Sequence, residues 1–88
     1  MPSAMGHTRK DIAGVVECIV KPLVEHPEDV VVTSQEEEAN TTYIEIHVNE
    51  EDTGKVIGRQ GRVIKSIRTL ARAAASRHDF HAEVEIAD

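Results

Sequence analysis

The sequence predicts an α+β domain in which a three-stranded sheet is covered on one face by three helices, in the order α-β-β-α-α-β. Three observations predict it. Apolar residues recur at helical spacing in segments 12–23 and 63–74, they alternate with polar residues in 42–48 and 80–86, and 88 residues allow one domain. With one apolar side per strand, the compact solution packs every helix on that side.

The first helix opens near Thr8, which forms a weak capping box with Asp11, and Ile12, Val15, Val16, Ile19 and Leu23 give its apolar stripe. Pro22 removes an interior hydrogen bond, so the regular helix ends near Val20 or kinks there, and Pro27 marks the loop that follows. Residues 1–8 read as a disordered tail or expression remnant and 9–88 as the domain. Met1 to His7 has no apolar core of the kind a secretory signal needs. Val30 to Thr33 is β-branched throughout, and after the polar stretch Ser34 to Asn40 the run Thr42 to Val48 alternates with period two. These are two strands of a hairpin, with Glu36, Glu37 and Glu38 at its solvated end.

Asn49 to Asp52 reads as a polar turn, and Thr53 to Ile57 is long enough only for a short helix before two glycines intervene. From Gly61 to about Ser76 the helical pattern is clearest. At 100° per residue from Arg62, the apolar Val63, Ile64, Ile67, Leu70, Ala71 and Ala74 fall between about 80° and 200°. Arg62, Lys65, Arg68 and Arg72 fall between about 240° and 360°, so packing and charge occupy separate faces. Phe80, Ala82, Val84 and Ile86 then alternate with His81, Glu83 and Glu85 in the last strand.

The formal charge of −6 argues at first against a polyanionic partner, but its distribution reverses that impression. Thr53 to His78 contains seven bases and no acid, while the rest holds three bases and sixteen acids: a +7 segment set in a −13 remainder. The one cysteine, Cys18, allows no intrachain disulfide and no cysteine-rich zinc site, which fits a reducing, cytoplasmic compartment. Apolar runs such as Val30-Val31-Val32 fall far short of the ~20 residues that span a bilayer, so no membrane partner is expected.

The chemistry lies in Gly54 to Ile67. Gly58 can end the short helix in a left-handed conformation that Cβ would penalise, and Gly61 lets the backbone open the next helix without obstruction. Neither glycine shields the loop, so backbone amides at the start of the long helix point outward with the positive end of its dipole, a site for phosphate oxygens. Arg59 and Gln60 add charge and hydrogen bonding. A bare G-x-x-G is a weak signal, but V-I-G-x-x-G-x-x-I-x-x-I between two helices is a strong one.

With Val56-Ile57-Gly58-Arg59-Gln60-Gly61, Ile64 and Ile67, the chain resembles a K-homology (KH) domain. A helix and two strands before that core resemble the type II arrangement. The stretch Ile19 to Val30 is similar to that of the small stand-alone bacterial KH proteins, the KhpA family. The resemblance implies binding of single-stranded RNA, about four nucleotides with the Gly58–Gly61 loop clamping the backbone. It implies contacts from Lys55, Val56, Ile57, Gly58, Arg59, Gln60, Gly61, Arg62 and Lys65. Val56 and Ile57 are either the floor of the base cleft or core, and Lys55 either reaches a phosphate or pairs with Asp52. The family likeness further implies a non-catalytic RNA chaperone or post-transcriptional regulator that affects growth and cell shape. As partners it implies a homodimer and/or a heterodimer with a larger Jag/KhpB-type KH protein. The alternative from another class is a protein-interaction and dimerisation module whose cationic helix meets an acidic surface.

Other residues carry less. One Tyr, one Phe and no Trp cannot supply the stacking platforms of an RRM or an aromatic-rich OB surface. His78 and His81 lack an obvious third metal ligand, Cys18 reads as a small core residue with no base at a useful spacing, and no P-loop is present. Arg68 and Arg77 lie further round the helix and are not named as ligands. No cofactor and no catalytic constellation is expected.

Overall fold

The computed structural model describes the backbone of residues 4–87 and the side chains of residues 11–87. Helix α1 (Ala4–Val20) is followed by strands β1 (Val31–Glu37) and β2 (Thr41–His47), helices α2 (Thr53–Ile57) and α3 (Arg62–Ser76), and strand β3 (His81–Ile86). The expected order is therefore present. The sheet order is β1-β2-β3, with β1 antiparallel and β3 parallel to the central β2. Parallel neighbours need a long crossover, and α2, the glycine loop and α3 are that crossover.

The core forms where the helices meet the apolar side of the sheet. Ile44 and Ile46 of β2 and Val84 of β3 pack with Val16 and Val20 of α1, Val56 of α2 and Ile67 of α3. All seven are almost fully removed from water. Pro22 lies in a 3-10 turn, Lys21–Leu23, so α1 stops at Val20 as the missing amide requires. At its other end α1 begins at Ala4, ahead of the Thr8 cap, because no proline interrupts the chain there and Ala4, Met5, Arg9 and Lys10 favour helix. The expected tail thus falls partly within α1, and residues 1–3 lie outside those described.

Three local expectations change. β1 does not end at Thr33 but continues through the polar Ser34 to Glu37, pairing along seven residues of β2. An edge strand with an open outer side needs no apolar alternation, and charge there discourages pairing with other chains. The hairpin then closes with Ala39 and Asn40 at φ 59° and 55°. Cys18 is exposed rather than core, and on the same helix Val15 is 56% exposed. On α3 the buried stripe is Ile64, Ile67, Ala71 and Ala75, rotated away from Leu70, which stands 57% exposed.

Candidate nucleic-acid interface

The glycine loop owes its shape to the end of α2. Gly58 donates its amide to the Gly54 carbonyl at 2.9 Å, then turns to φ 78°, ψ 173°, a region closed to side chains. A Cβ at Gly58 would lie 2.4 Å from Val63 Cγ2 and 2.9 Å from Val63 N, so α3 packs directly against the glycine. The expected left-handed exit is therefore a more extended positive-φ conformation, and the absence of Cβ serves close packing as well as the turn. Gln60 (φ 56°, ψ 27°) and Gly61 (φ 73°, ψ 16°) are both left-handed, and the Gly61 amide bonds the Gly58 carbonyl at 3.1 Å. A left-handed glutamine is strained, and such strain at an exposed loop tip is held in place by the packed ends on either side.

The nine residues expected at the interface divide by burial. Arg59, Gln60, Arg62 and Lys65 are exposed, and the side chains of Arg59 and Lys65 make no hydrogen bond or ion pair among the described residues. Arg62 only approaches Gln60 Oε1 at 3.4 Å. Gly58 and Gly61 form the loop backbone. Ile57 is 38% exposed beside it, whereas Val56 is fully buried and takes the core alternative. Lys55 is exposed and pairs with Asp52, its Nζ 3.5 Å from Asp52 Oδ1 and 3.6 Å from Glu25 Oε1.

Asp52 is a buried anchor that the sequence did not disclose. It accepts the backbone amides of Glu25 at 3.0 Å and His26 at 2.9 Å, tying the loop after α1 to the start of α2. Burial alone would raise its carboxyl. The two amides and Lys55 outweigh that effect and hold it below the ordinary carboxylate value. Its signals in the sequence, an acid just before a short helix with Lys55 three residues on, suit a solvated cap or a surface pair equally well.

Charge is divided between opposite sides of the fold. The sheet face turned away from the helices carries Glu37, Glu45, Glu83 and Glu85 around Tyr43. Partial burial and the carboxylates of Glu45, Glu85 and Glu37 push that phenol up. The loop and the solvent face of α3 carry the bases. Among the described residues, ligating atoms of His26, Glu28 and Asp29 lie within 4.8 Å of one another on the loop before β1, away from His78 and His81. The His26 ring nitrogens lie 3.6 Å from a Glu28 carboxylate oxygen and 3.9 Å from one of Glu51. Among the described residues no helix is long and apolar enough to cross a membrane.

The family described as KhpA/KhpB, KH domain matches residues 13–86. The chain is 53% identical to the RNA-binding protein KhpA of Listeria monocytogenes over 68 residues, 77% of this chain and 88% of that one. It is 38% identical to the RNA-binding protein KhpA of Bacillus subtilis over 81 residues, 92% of this chain and 99% of that one. A crystal structure of Aquifex aeolicus Era bound to GDP.AlF4- superposes with a TM-score of 0.61 at 26% identity, covering 89% of this chain. The match spans 30% of the Era chain and speaks to the fold.

Proposed function

This chain belongs to the KhpA/KhpB KH-domain family, and from that premise we infer that it binds short single-stranded RNA through the Gly58–Gly61 loop. One observation carries the reading: an exposed glycine loop with a strained tip opens directly onto a helix whose solvent face is basic and free of acids. The Gly58, Gly61 and Arg62 amides are taken by the Gly54, Gly58 and Arg59 carbonyls, so phosphates meet chiefly Arg59 there, with Arg62 and Lys65 continuing the track. Relatives named RNA-binding proteins support the reading of a non-enzymatic cytoplasmic RNA chaperone or post-transcriptional regulator.

Four nucleotides make a small contact, and joining two sites raises affinity without new contacts. We infer that the chain pairs with a second copy or with a larger KhpB-type KH protein. The support is a groove between α1 and α3 lined almost wholly by apolar side chains, with Val15 and Leu70 standing exposed at its lips. Such side chains gain from being covered.

The direct test is binding of a labelled, mixed-sequence single-stranded RNA by the native protein and by Arg59→Asp/Gln60→Asp, with circular dichroism confirming that both fold. The native protein binds, with log K falling against log salt at a slope near about −2 if three phosphates are neutralised; the variant does not. Equal binding by both, or by neither, removes the clamp and leaves the interaction-module alternative.

A further inference from the structure

Arg68 sits where the basic face of α3 reaches the open edge of the sheet. Each three-residue step along an α-helix rises about 4.5 Å and turns back by about 60°, so Arg62, Lys65 and Arg68 form one slanting row. The row starts at the glycine loop and ends about 9 Å further along the axis. There it meets β3, which pairs on one side only, with β2. His81 N bonds Asn40 O and Ala87 N bonds Ile46 O, so the odd-numbered residues of β3 face β2 and the Val84 carbonyl faces the open edge. Arg68 Nε donates to that carbonyl at 3.0 Å, and Arg68 Nη2 donates to Glu85 Oε2 at 3.2 Å.

The guanidinium is thereby gripped by one of its two donor forks. Nε and the adjacent Nη2 hydrogen hold the strand, which leaves the Nη1–Nη2 end of the plane unused. The side chain remains 34% exposed. A planar fork already fixed in orientation loses little freedom on making two further hydrogen bonds.

We propose that Arg68 is a specificity-determining residue of the interface, selecting RNA bases that present two adjacent acceptors, cytosine (O2 and N3) or guanine (O6 and N7). The proposal rests on the RNA-binding reading. Adenine and uracil alternate donors with acceptors on their exposed edges, so one arm of the fork would face a donor. An RNA strand whose phosphates sit on the loop and follow the slanting row brings a base to Arg68 beside β3. Lysine at this position keeps the charge but has no fork.

The test uses labelled eight-nucleotide RNAs of all uracil, all adenine, all cytosine, and uracil with guanine at two separated positions. The native protein binds the cytosine and guanine-containing strands roughly tenfold tighter than the other two, the scale of a bidentate base contact. Arg68→Lys brings the four affinities together while the salt slope is unchanged. Glu85→Ala, at an exposed position, narrows the preference by freeing the guanidinium and serves if the lysine variant does not fold. Equal native affinity for all four RNAs, or a preference kept in Arg68→Lys, overturns the role of Arg68 and leaves RNA binding standing. Native protein that binds none of the four overturns both.

Discussion

Replacing Gly58 by alanine places a methyl carbon 2.4 Å from Val63 Cγ2, 2.8 Å from Val63 Cβ and 2.9 Å from Val63 N. Rotating the valine relieves the first contact alone, because Cβ and N move only with the α3 backbone. Overpacking of this kind costs about 1–3 kcal/mol, and the φ of 78° with ψ 173° costs a non-glycine residue about 1–3 kcal/mol more. The sum is about 2–6 kcal/mol. Gly61 is a control with almost the same φ, 73°, and no atom within 4 Å of an added Cβ. Alanine there meets only the left-handed penalty of about 1–2 kcal/mol, partly offset by about 0.4–1 kcal/mol from a stiffer unfolded chain. For a chain of this size each kcal/mol moves the melting temperature by about 4–8 °C. Thermal unfolding followed by circular dichroism should therefore show Gly61→Ala lowered by roughly 5 °C and Gly58→Ala by roughly 10 °C or more. Gly58→Ala/Val63→Ala recovers part of the loss and not all of it. Equal melting temperatures for the two single variants would refute the close packing of α3 on Gly58.

Asp52→Asn removes a carboxylate that accepts two amides, so its urea midpoint falls at neutral pH. Because the folded carboxyl lies below its ordinary value of 3.8, its contribution to stability is fully present above that value. The contribution is lost as pH falls through the lower folded value, so the native stability curve drops there and the asparagine curve drops less; parallel curves from pH 7 to 2 would show that Asp52 is not the group responsible. Leu70→Glu puts a charge on the lip of the α1–α3 groove, where the side chain is already exposed. Its melting temperature should stay within a few degrees of native, since surface changes cost about 0.5 kcal/mol or less. Sedimentation should show the self-associated species lost; a native protein that is monomeric at every concentration refutes the groove as a self-pairing surface.

The parts of the fold legible in the sequence are those written in local periodicity. α3 separates its apolar and basic residues by angle, β2 alternates Thr42, Ile44 and Ile46, and Pro22 states where α1 must stop. Each signal needs only neighbours in the chain. The unread features need partners far away in it. Glu25 and Asp52 are 27 residues apart and Arg68 and Val84 are 16 apart, and neither bond leaves a pattern in its own segment. The same holds for β1, whose Ser34 to Glu37 look like loop until β2 supplies seven pairing residues. At the candidate interface, the placement of the glycine loop and the exposure of Arg59, Gln60, Arg62 and Lys65 are readable because sequence spacing fixes them on one loop and one helix face. Val56 is not, because the same apolar residue suits a cleft floor and a core equally well.

Charge division explains how a chain of net −6 can present a surface to a polyanion. Strand alternation sends Glu37, Glu45, Glu83 and Glu85 to the side of the sheet that no helix covers. The helical period sends Arg62, Lys65 and Arg72 outward on the opposite layer. At physiological ionic strength charges are screened over about 8 Å, and among the described residues only Glu85 of these four acids pairs with a base of α3, its Oε2 lying 3.2 Å from Arg68 Nη2 at the β3 edge. A strand of phosphates at the loop therefore meets chiefly the local positive field, while one approaching the open sheet is repelled. The acids do not cancel the site; they restrict the RNA to one side of the domain. Net charge is thus a poor guide to this chain's partner, and the surface on which each residue type is displayed is the better one.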